Sequence, residues 1–239
     1  MNKKLNIAVI ILSAVLILTA CGNGAEKNNS QSSESTSAPY DEIVVAEIIP
    51  DYHPLEWCGN SYEYETQDEA VSKRFSSMLA DGDTERINAL QTLDSGERGM
   101  YAFSIKNLPE GFEVGRVYET SGITYSKVMP DDPDEFAKTE KIDFCARIDS
   151  DDSRVTEYND IWSSEGKDVN KISNKTDVYY VDYDADNYQV YWAEDGYFFT
   201  INFPKSVGTI DPETHEYSGA DIFEIKKTFY VFDETNVIE

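Results

Sequence analysis

The chain has 239 residues, and its 46 Asp and Glu against 20 Lys and Arg give a formal net charge of −26. Such an acidic surface repels phosphate backbones and anionic lipid headgroups, which argues against nucleic acid as a partner. Hydrophobic residues make up 40% of the chain and aromatic residues 13%. That share supports a packed core and excludes a chain that is disordered throughout.

Residues 1–20 have the layout of a secretory signal peptide, with a basic start, an apolar run and small residues before a cysteine. The tetrad Leu18-Thr19-Ala20-Cys21 resembles the bacterial lipobox. The resemblance implies that Cys21 receives a diacylglyceryl group and becomes the mature N-terminus. Two acyl chains hold a protein at a bilayer durably, so a transmembrane helix is not needed. The alternatives are an ordinary cleaved signal and an uncleaved N-terminal anchor, with Cys21 incidental in both.

Two segments are expected after the signal peptide. Residues 21–40 are rich in Ser, Asn and Gly and almost free of aliphatic side chains, which is typical of a flexible tether. Residues 41–239 are predicted to form a single extracytoplasmic domain, anchored to the outer side of the cell membrane through Cys21.

The first part of this domain predicts one strand and one well-defined helix. The strand covers 42–49 and is stopped by Pro50. Thr66 and Glu69 have the spacing of a capping box at the start of a helix. The spacing of the apolar residues behind it places four of them on one helix face: Val71, Phe75, Met78 and Leu79. A second, weaker helix is expected around Ile87.

The remainder is rich in strand signals. Strands are predicted at 100–106, 112–120, 123–129, 142–148, 177–183, 188–193 and 197–203. The last three form an antiparallel meander with an Asp-Gly hairpin turn at 195–196. The polar stretch 149–175 is expected to be a loop. Residues 221–232 suit both helix and strand, with a slight preference for helix. Together these elements predict an α+β fold, a mainly antiparallel twisted sheet with one or two helices packed against it.

Three segments resemble a known domain: Leu108-Pro109-Glu110-Gly111-Phe112, the run 190–201 and the run 222–227. They are similar to the uncharacterised extracytoplasmic α+β domain of Gram-positive lipoproteins and anti-sigma-factor-like membrane proteins. The resemblance covers roughly the second half of the chain and implies a final helix, but it carries no catalytic residues. The insertion at 204–219 departs from the pattern.

Few constellations point to catalysis or to a cofactor. His53 and His215 are the only histidines, and neither His-Glu-x-x-His nor Gly-x-Ser-x-Gly occurs, which argues against zinc chemistry and a serine triad. Three alternating acids, Asp182, Asp184 and Asp186, resemble the opening of a calcium loop. The alternative is an Asp/Asn-rich hairpin turn. Calcium is thus the one cofactor that the sequence suggests.

Four further residues are candidates for structural or binding roles. Cys58 and Cys145 could form a disulfide outside the cytoplasm, against the alternative of two buried thiols. Trp57 and Trp162 lie in predicted loops, where exposed rings could bind a sugar or a peptide. Neither pair decides the function.

The predicted function is a lipid-anchored cell-surface binding or sensing module for a peptide, a protein or a wall-derived ligand, and a non-enzymatic role is favoured. One alternative is a surface hydrolase that uses paired carboxylates on a glycan. Another is a structural component of an envelope complex. A cleft that holds two carboxylates with perturbed protonation would favour the hydrolase.

Overall fold

The computed structural model describes residues 40–49, 57–58, 61–118, 122–127, 139–148 and 153–237, and only the backbone of 57–58 and 61–63. The predicted signal peptide, Cys21 and the tether up to residue 39 lie outside the described residues. Among the described residues no helix combines the length and the apolar character that crossing a membrane requires. The described residues after 39 belong to one compact unit.

The described strands form three sheets, of nine, four and two strands. The nine-stranded sheet has the order β2-β3-β6-β7-β8-β12-β11-β10-β9. The strands up to β9 are β1 (Glu42–Val45), β2 (Trp57–Cys58), β3 (Ser61–Tyr64), β4 (Gln91–Thr92), β5 (Arg98–Ile105), β6 (Glu113–Tyr118), β7 (Gly122–Ser126), β8 (Lys141–Ile148) and β9 (Asn170–Lys171). The remaining strands are β10 (Tyr179–Asp182), β11 (Asn187–Glu194), β12 (Tyr197–Pro204), β13 (Gly208–Ile210), β14 (Tyr217–Gly219) and β15 (Ile225–Val231).

The four-stranded sheet has the order β1-β15-β5-β4, and β13 pairs with β14. Of the strand pairs between described residues, β1–β15 is parallel and the others are antiparallel. The predicted class, a mainly antiparallel α+β fold, is therefore confirmed in its coarse form. The sheets contain many more strands than one helix-backed sheet would need.

The described helices are α1 (Gln67–Ala80), α2 (Thr84–Asn88) and α3 (Ser153–Ser164). The capping box that starts α1 is confirmed, because Thr66 Oγ1 accepts the Glu69 amide at 3.1 Å. The glutamate reaches one residue further back than the standard box, since Glu69 Oε2 accepts the Glu65 amide at 3.0 Å. The predicted apolar face is also confirmed, with Val71, Phe75 and Met78 buried.

The elements stack in layers around two hydrophobic cores. The first core lies between α1 and one face of the four-stranded sheet and contains Phe75, Ala102 and Phe232. The second core lies between the other face of that sheet and the large sheet and contains Phe103 and Phe199. Helix α3 covers the outer face of the large sheet, where the Tyr158 ring lies 4.8 Å from Phe198 and 5.4 Å from Tyr191.

Two predictions of local structure are wrong. The stretch 149–175 contains helix α3, which ends in a Schellman motif: Gly166 has φ of 75°, and the Lys167 amide donates to Trp162 O at 3.0 Å. The segment 221–232 contains strand β15 and no helix. The apolar pattern of this segment is compatible with a helix and with a strand. It forms a strand because it pairs with β1 on one side and with β5 on the other.

Gly99 marks a close approach between β5 and β15. A Cβ atom at this position would lie 1.9 Å from Tyr230 O, so any side chain would push the two strands apart. Gly96, in the preceding turn, has φ of 100°, but a Cβ atom at this position would have no atom within 4 Å apart from those of the neighbouring residues in the chain. The two glycines are therefore required for different reasons.

We expect Gly99→Ala to lower the free energy of unfolding by about 3 kcal/mol or more, because strand backbone must move to relieve the clash. Gly96→Ala is the matched control and should cost about 1–2 kcal/mol, since only an unfavourable φ is involved. Urea unfolding of both variants measures the difference. Equal losses would contradict the close packing of β5 on β15.

Candidate functional site

A cleft of about 820 Å³ runs along one edge of β5. We call it the β5 cleft. Its floor is the segment from Gly99 to Phe103. One wall comes from the two N-terminal helices and the residues after them: Arg74, Met78, Arg86, Ala89 and Leu90. The opposite wall comes from the inner face of the large sheet: Ile123, Phe144, Ala146, Ile148 and Tyr197. The cleft thus lies where the two sheets separate.

The floor is formed by an edge of β5 that β4 covers only in part. Strand β4 pairs with Arg98 and Gly99 and goes no further. Hydrogen bonds alternate along an antiparallel pair. The Lys106 amide donates to Glu224 O and the Phe232 amide to Arg98 O, so the even-numbered residues of β5 bond to β15. The odd-numbered residues therefore present their amides and carbonyls to the opposite edge.

Side chains complete the far end of this edge. Gln67 Nε2 donates to Phe103 O at 2.8 Å, and the Ile105 amide donates to Tyr125 Oη at 2.9 Å. Between these bonds and β4, none of the described residues supplies a hydrogen bond to the Tyr101 amide, the Tyr101 carbonyl or the Phe103 amide. Three backbone groups thus point into the β5 cleft.

Aromatic rings line the cleft beside these backbone groups. The Tyr197 ring lies 4.5 Å from Phe103 and 6.2 Å from Tyr101. Gln91 Nε2 donates to Tyr197 Oη at 3.0 Å and so ties β4 to the large sheet. Burial raises the pKa of both Tyr101 and Tyr197. Both phenols remain neutral at physiological pH and can donate a hydrogen bond.

The charges in the cleft differ from those of the whole protein. Three of the six arginines line it: Arg74, Arg86 and Arg147. The guanidinium of Arg86 lies 3.4 Å from Asp83, in an exposed pair. Asp143 is the one carboxylate in the lining, and its Oδ1 accepts a hydrogen bond from Thr124 at 2.7 Å. In a chain with a formal charge of −26, the β5 cleft thus has arginine side chains in its lining, one of them already paired with an aspartate.

Arg147 belongs to the other face of the large sheet, as do Asp143 and Cys145 at alternate positions of β8. Arg147 pairs with Phe198, whose ring packs on α3, and directly paired residues of antiparallel strands share a face. A hydrogen bond to Cys145 raises the pKa of Arg147. The arginines that belong to the helical wall are therefore Arg74 and Arg86.

A second concave region, the polar groove, has a volume of about 600 Å³. Its lining includes three carboxylates: Glu140, Asp143 and Asp186. Hydrogen bonds from Lys127 and Ser206 lower the pKa of Glu140. A general acid in glycoside hydrolysis needs a raised pKa, so Glu140 has the opposite perturbation.

The predicted calcium loop has other partners in the structure. Asp184 Oδ1 accepts the amides of Asp186 and Asn187, both at 2.8 Å, as in a hairpin-type Asx turn. Lys205 Nζ lies 2.7 Å from Asp182 Oδ1. Across the parts of the chain that the structure describes, no three His, Cys, Asp or Glu side chains form a group that could hold a metal ion. The geometry thus gives the calcium hypothesis no support.

The predicted tryptophans and cysteines do not meet in the β5 cleft. Trp162 lies on α3, with its ring 5.9 Å from Tyr183 and the Lys167 ammonium 6.0 Å from its centre. Trp57 and Cys58 form strand β2, and their side chains lie outside the described residues. Cys145 is half-buried, lines the cleft, and is a free cysteine among the described residues. The disulfide stays a prediction.

No family model, curated protein or solved structure shows a significant match to this chain. The resemblance to the extracytoplasmic domain of Gram-positive lipoproteins therefore stays a prediction. The β5 cleft is the feature of the described domain that bears most directly on function.

Sequence reasoning did not find this cleft. The residues that form it come from segments between position 74 and position 197, and each segment alone is ordinary. Asp94-Ser95-Gly96 is a turn signal in the sequence, but it does not show that β4 pairs only with Arg98 and Gly99 and leaves the rest of that edge of β5 uncovered.

Tyr125→Phe tests the description of the β5 edge. The substitution leaves the buried Ile105 amide without its acceptor, which should lower the free energy of unfolding by about 1–3 kcal/mol. Tyr183→Phe, at an exposed tyrosine, is the control and should change little. Chemical denaturation measures both. Unchanged stability of Tyr125→Phe would show that the amide finds another partner.

Proposed function

We propose that this protein is a lipid-anchored extracytoplasmic lipoprotein whose domain binds or senses a peptide, a protein or a wall-derived ligand in the β5 cleft. The single observation that carries the binding role is the cleft itself, which combines an apolar lining with a few converging polar groups. The lipobox-like tetrad before Cys21 supports the anchor.

The size and chemistry of the cleft suit a ligand. Binding sites typically have volumes of about 300–1,000 Å³ and are mostly apolar, with a small number of placed polar groups. The β5 cleft falls in this range at about 820 Å³. On its rim the Ile148 side chain is 78% exposed, which is unusual for a strand residue of that size and leaves apolar surface to be covered.

The surface-hydrolase alternative finds less support. Paired-carboxylate hydrolysis requires two acids on either side of the scissile bond. The β5 cleft is lined by one, Asp143. The polar groove is lined by three, but the pKa of Glu140 is lowered there, which is opposite to what a general acid needs. Binding is therefore the better interpretation of both concave regions.

Two variants, in each of which tryptophan replaces an alanine, test the proposed site. Ala89 lines the β5 cleft and Ala185 lines the polar groove, and both are exposed. A tryptophan at Ala89 should fill part of the cleft, whereas Ala185→Trp is the matched control.

The full-length protein is screened for binding of random seven-residue peptides and of soluble peptidoglycan fragments. The affinity of the protein and of each variant for the compounds that bind is then measured by calorimetry. We expect Ala89→Trp to weaken binding at least tenfold and Ala185→Trp to leave it within twofold. The reverse pattern would move the site to the polar groove, and equal affinities would remove both sites.

The anchor has its own test. Cys21→Ser should abolish labelling by a radioactive fatty acid and release the protein from the membrane fraction, because the acylated sulfur is lost. Cys58→Ser is the control and should remain labelled and membrane-bound. A Cys21→Ser protein that stays fully in the membrane fraction would disprove the lipoprotein proposal.

A further inference from the structure

We infer that the ligand of the β5 cleft is an extended, carboxylate-bearing peptide segment of a partner protein, which adds as a strand to the open edge of β5. This inference rests on the proposed function and names the ligand class. It follows from three independent features of the cleft: its backbone groups, its two walls and its arginines.

The backbone groups fit a strand. The amide and carbonyl of Tyr101 point to the same edge of β5 as the amide and carbonyl of Gly99. At Gly99 this edge is paired with β4, and at Tyr101 it is open. A peptide residue opposite Tyr101 would exchange two hydrogen bonds with it, as Gln91 does with Gly99, and the carbonyl of the peptide residue opposite Phe103 would accept the Phe103 amide. The peptide would continue β4 along β5. A sugar has no matching repeat of donors and acceptors.

The bonds at the far end limit the length of the added strand. The Phe103 carbonyl already accepts a hydrogen bond from Gln67, and the Ile105 amide already donates one to Tyr125. The complementary part of the peptide is therefore about three to four residues, since strand residues advance about 3.4 Å each. A short linear segment fits this space better than the edge of a folded sheet.

The two walls fit the alternating side chains of such a strand. Successive side chains of an added strand point to opposite faces, as they do in β5 itself. Met100 of β5 packs towards α1, and Tyr101 packs towards the large sheet. Peptide side chains would therefore contact Met78 and Leu90 on one wall and Ile148 and Tyr197 on the other. Strand addition of this kind obtains affinity from the main chain and specificity from the pockets.

The arginines select for negative charge. Arg74 is exposed at the helical wall and is the main candidate to bind a carboxylate. Arg86 lies on the same wall with an exposed side chain, but Asp83, 3.4 Å away, already offsets part of its charge. A guanidinium binds a carboxylate through two parallel hydrogen bonds. The rest of this acidic surface repels an acidic peptide, so the attraction is confined to the cleft and determines where the peptide can dock.

The topology favours a separate partner over the protein's own tether. The chain reaches the domain at Tyr40 and enters β1, and β1 and β4 form opposite edges of the four-stranded sheet. Tyr40, the first described residue, thus leads into the edge strand that lies away from the cleft. The tether's two glutamates, Glu26 and Glu34, still make a synthetic 22–39 peptide a useful competitor.

Two substitutions at Tyr101 isolate the main-chain contribution. Tyr101→Ala and Tyr101→Pro both remove the ring, but only proline also removes the amide hydrogen. That amide points away from β15, so proline breaks no bond of the sheet. A charge reversal, Arg74→Glu, tests the carboxylate, with Arg154→Glu on α3 as its control. Arg154 lies outside the residues that line the cleft.

The probes are seven-residue peptides selected from a random display library on the full-length protein, and a synthetic peptide of residues 22–39. We expect the selected peptides to be enriched in Asp or Glu. Tyr101→Pro should bind them at least tenfold more weakly than Tyr101→Ala, and Arg74→Glu at least tenfold more weakly than Arg154→Glu. In the unmodified protein, hydrogen exchange at the Tyr101 and Phe103 amides should slow when peptide binds, a readout that does not depend on any variant folding.

Other outcomes separate this inference from the proposed function. If peptides bind in the cleft but the Tyr101 and Phe103 amides exchange at an unchanged rate, strand addition is wrong and the binding role stands. If only peptidoglycan fragments bind in the cleft, the peptide class is wrong and the binding role again stands. If the 22–39 peptide displaces all others at low concentration, the occupant is the chain's own tether. If no probe binds in the cleft, both proposals fail.

Discussion

The obligatory pairing of backbone amides and carbonyls in β5 is the constraint on which this structure depends. Strand β5 contributes Ala102 to the core against α1 and Phe103 to the core against the large sheet. It therefore cannot leave the interior, and each of its backbone groups that water does not reach needs a hydrogen-bond partner. Strand β15 satisfies one edge completely. The other edge is served by β4, by Gln67 and by Tyr125, each over a short distance.

This partial coverage explains why the cleft lies where it does. A longer β4 would fill the space between the helical wall and the large sheet and would extend the sheet that separates the two cores. Instead the chain before β4 turns away as α2, which is held to β5 by a bond from the Arg98 guanidinium to Ile87 O. The cleft is thus a consequence of how far one short strand extends, and its walls are faces that the two cores leave uncovered.

The local elements of this fold could be predicted, because their signals depend on neighbouring residues. Thr66 and Glu69 cap α1 as expected, and Asp195-Gly196 forms its hairpin turn with φ of 53° and 80°. Elements decided by distant partners could not. Tyr158 and Asn159 lie in a polar stretch that becomes a helix because it packs on Tyr191, and Asn159 accepts a hydrogen bond from that tyrosine at 2.7 Å.

The candidate site was hidden for the same physical reason. The helical pattern of α1 places Val71, Phe75 and Met78 in the core and Arg74 at its border, but it does not say which surface adjoins that border. Only the pairing of β5 with β15 places the exposed Ile148 and Arg74 on opposite sides of one unpaired strand edge. Acidic residues outnumber basic ones in the composition, so the role of the few arginines can be inferred only from their positions in the structure. The composition reports only the net charge of the chain, whereas the fold shows which surface Arg74 adjoins.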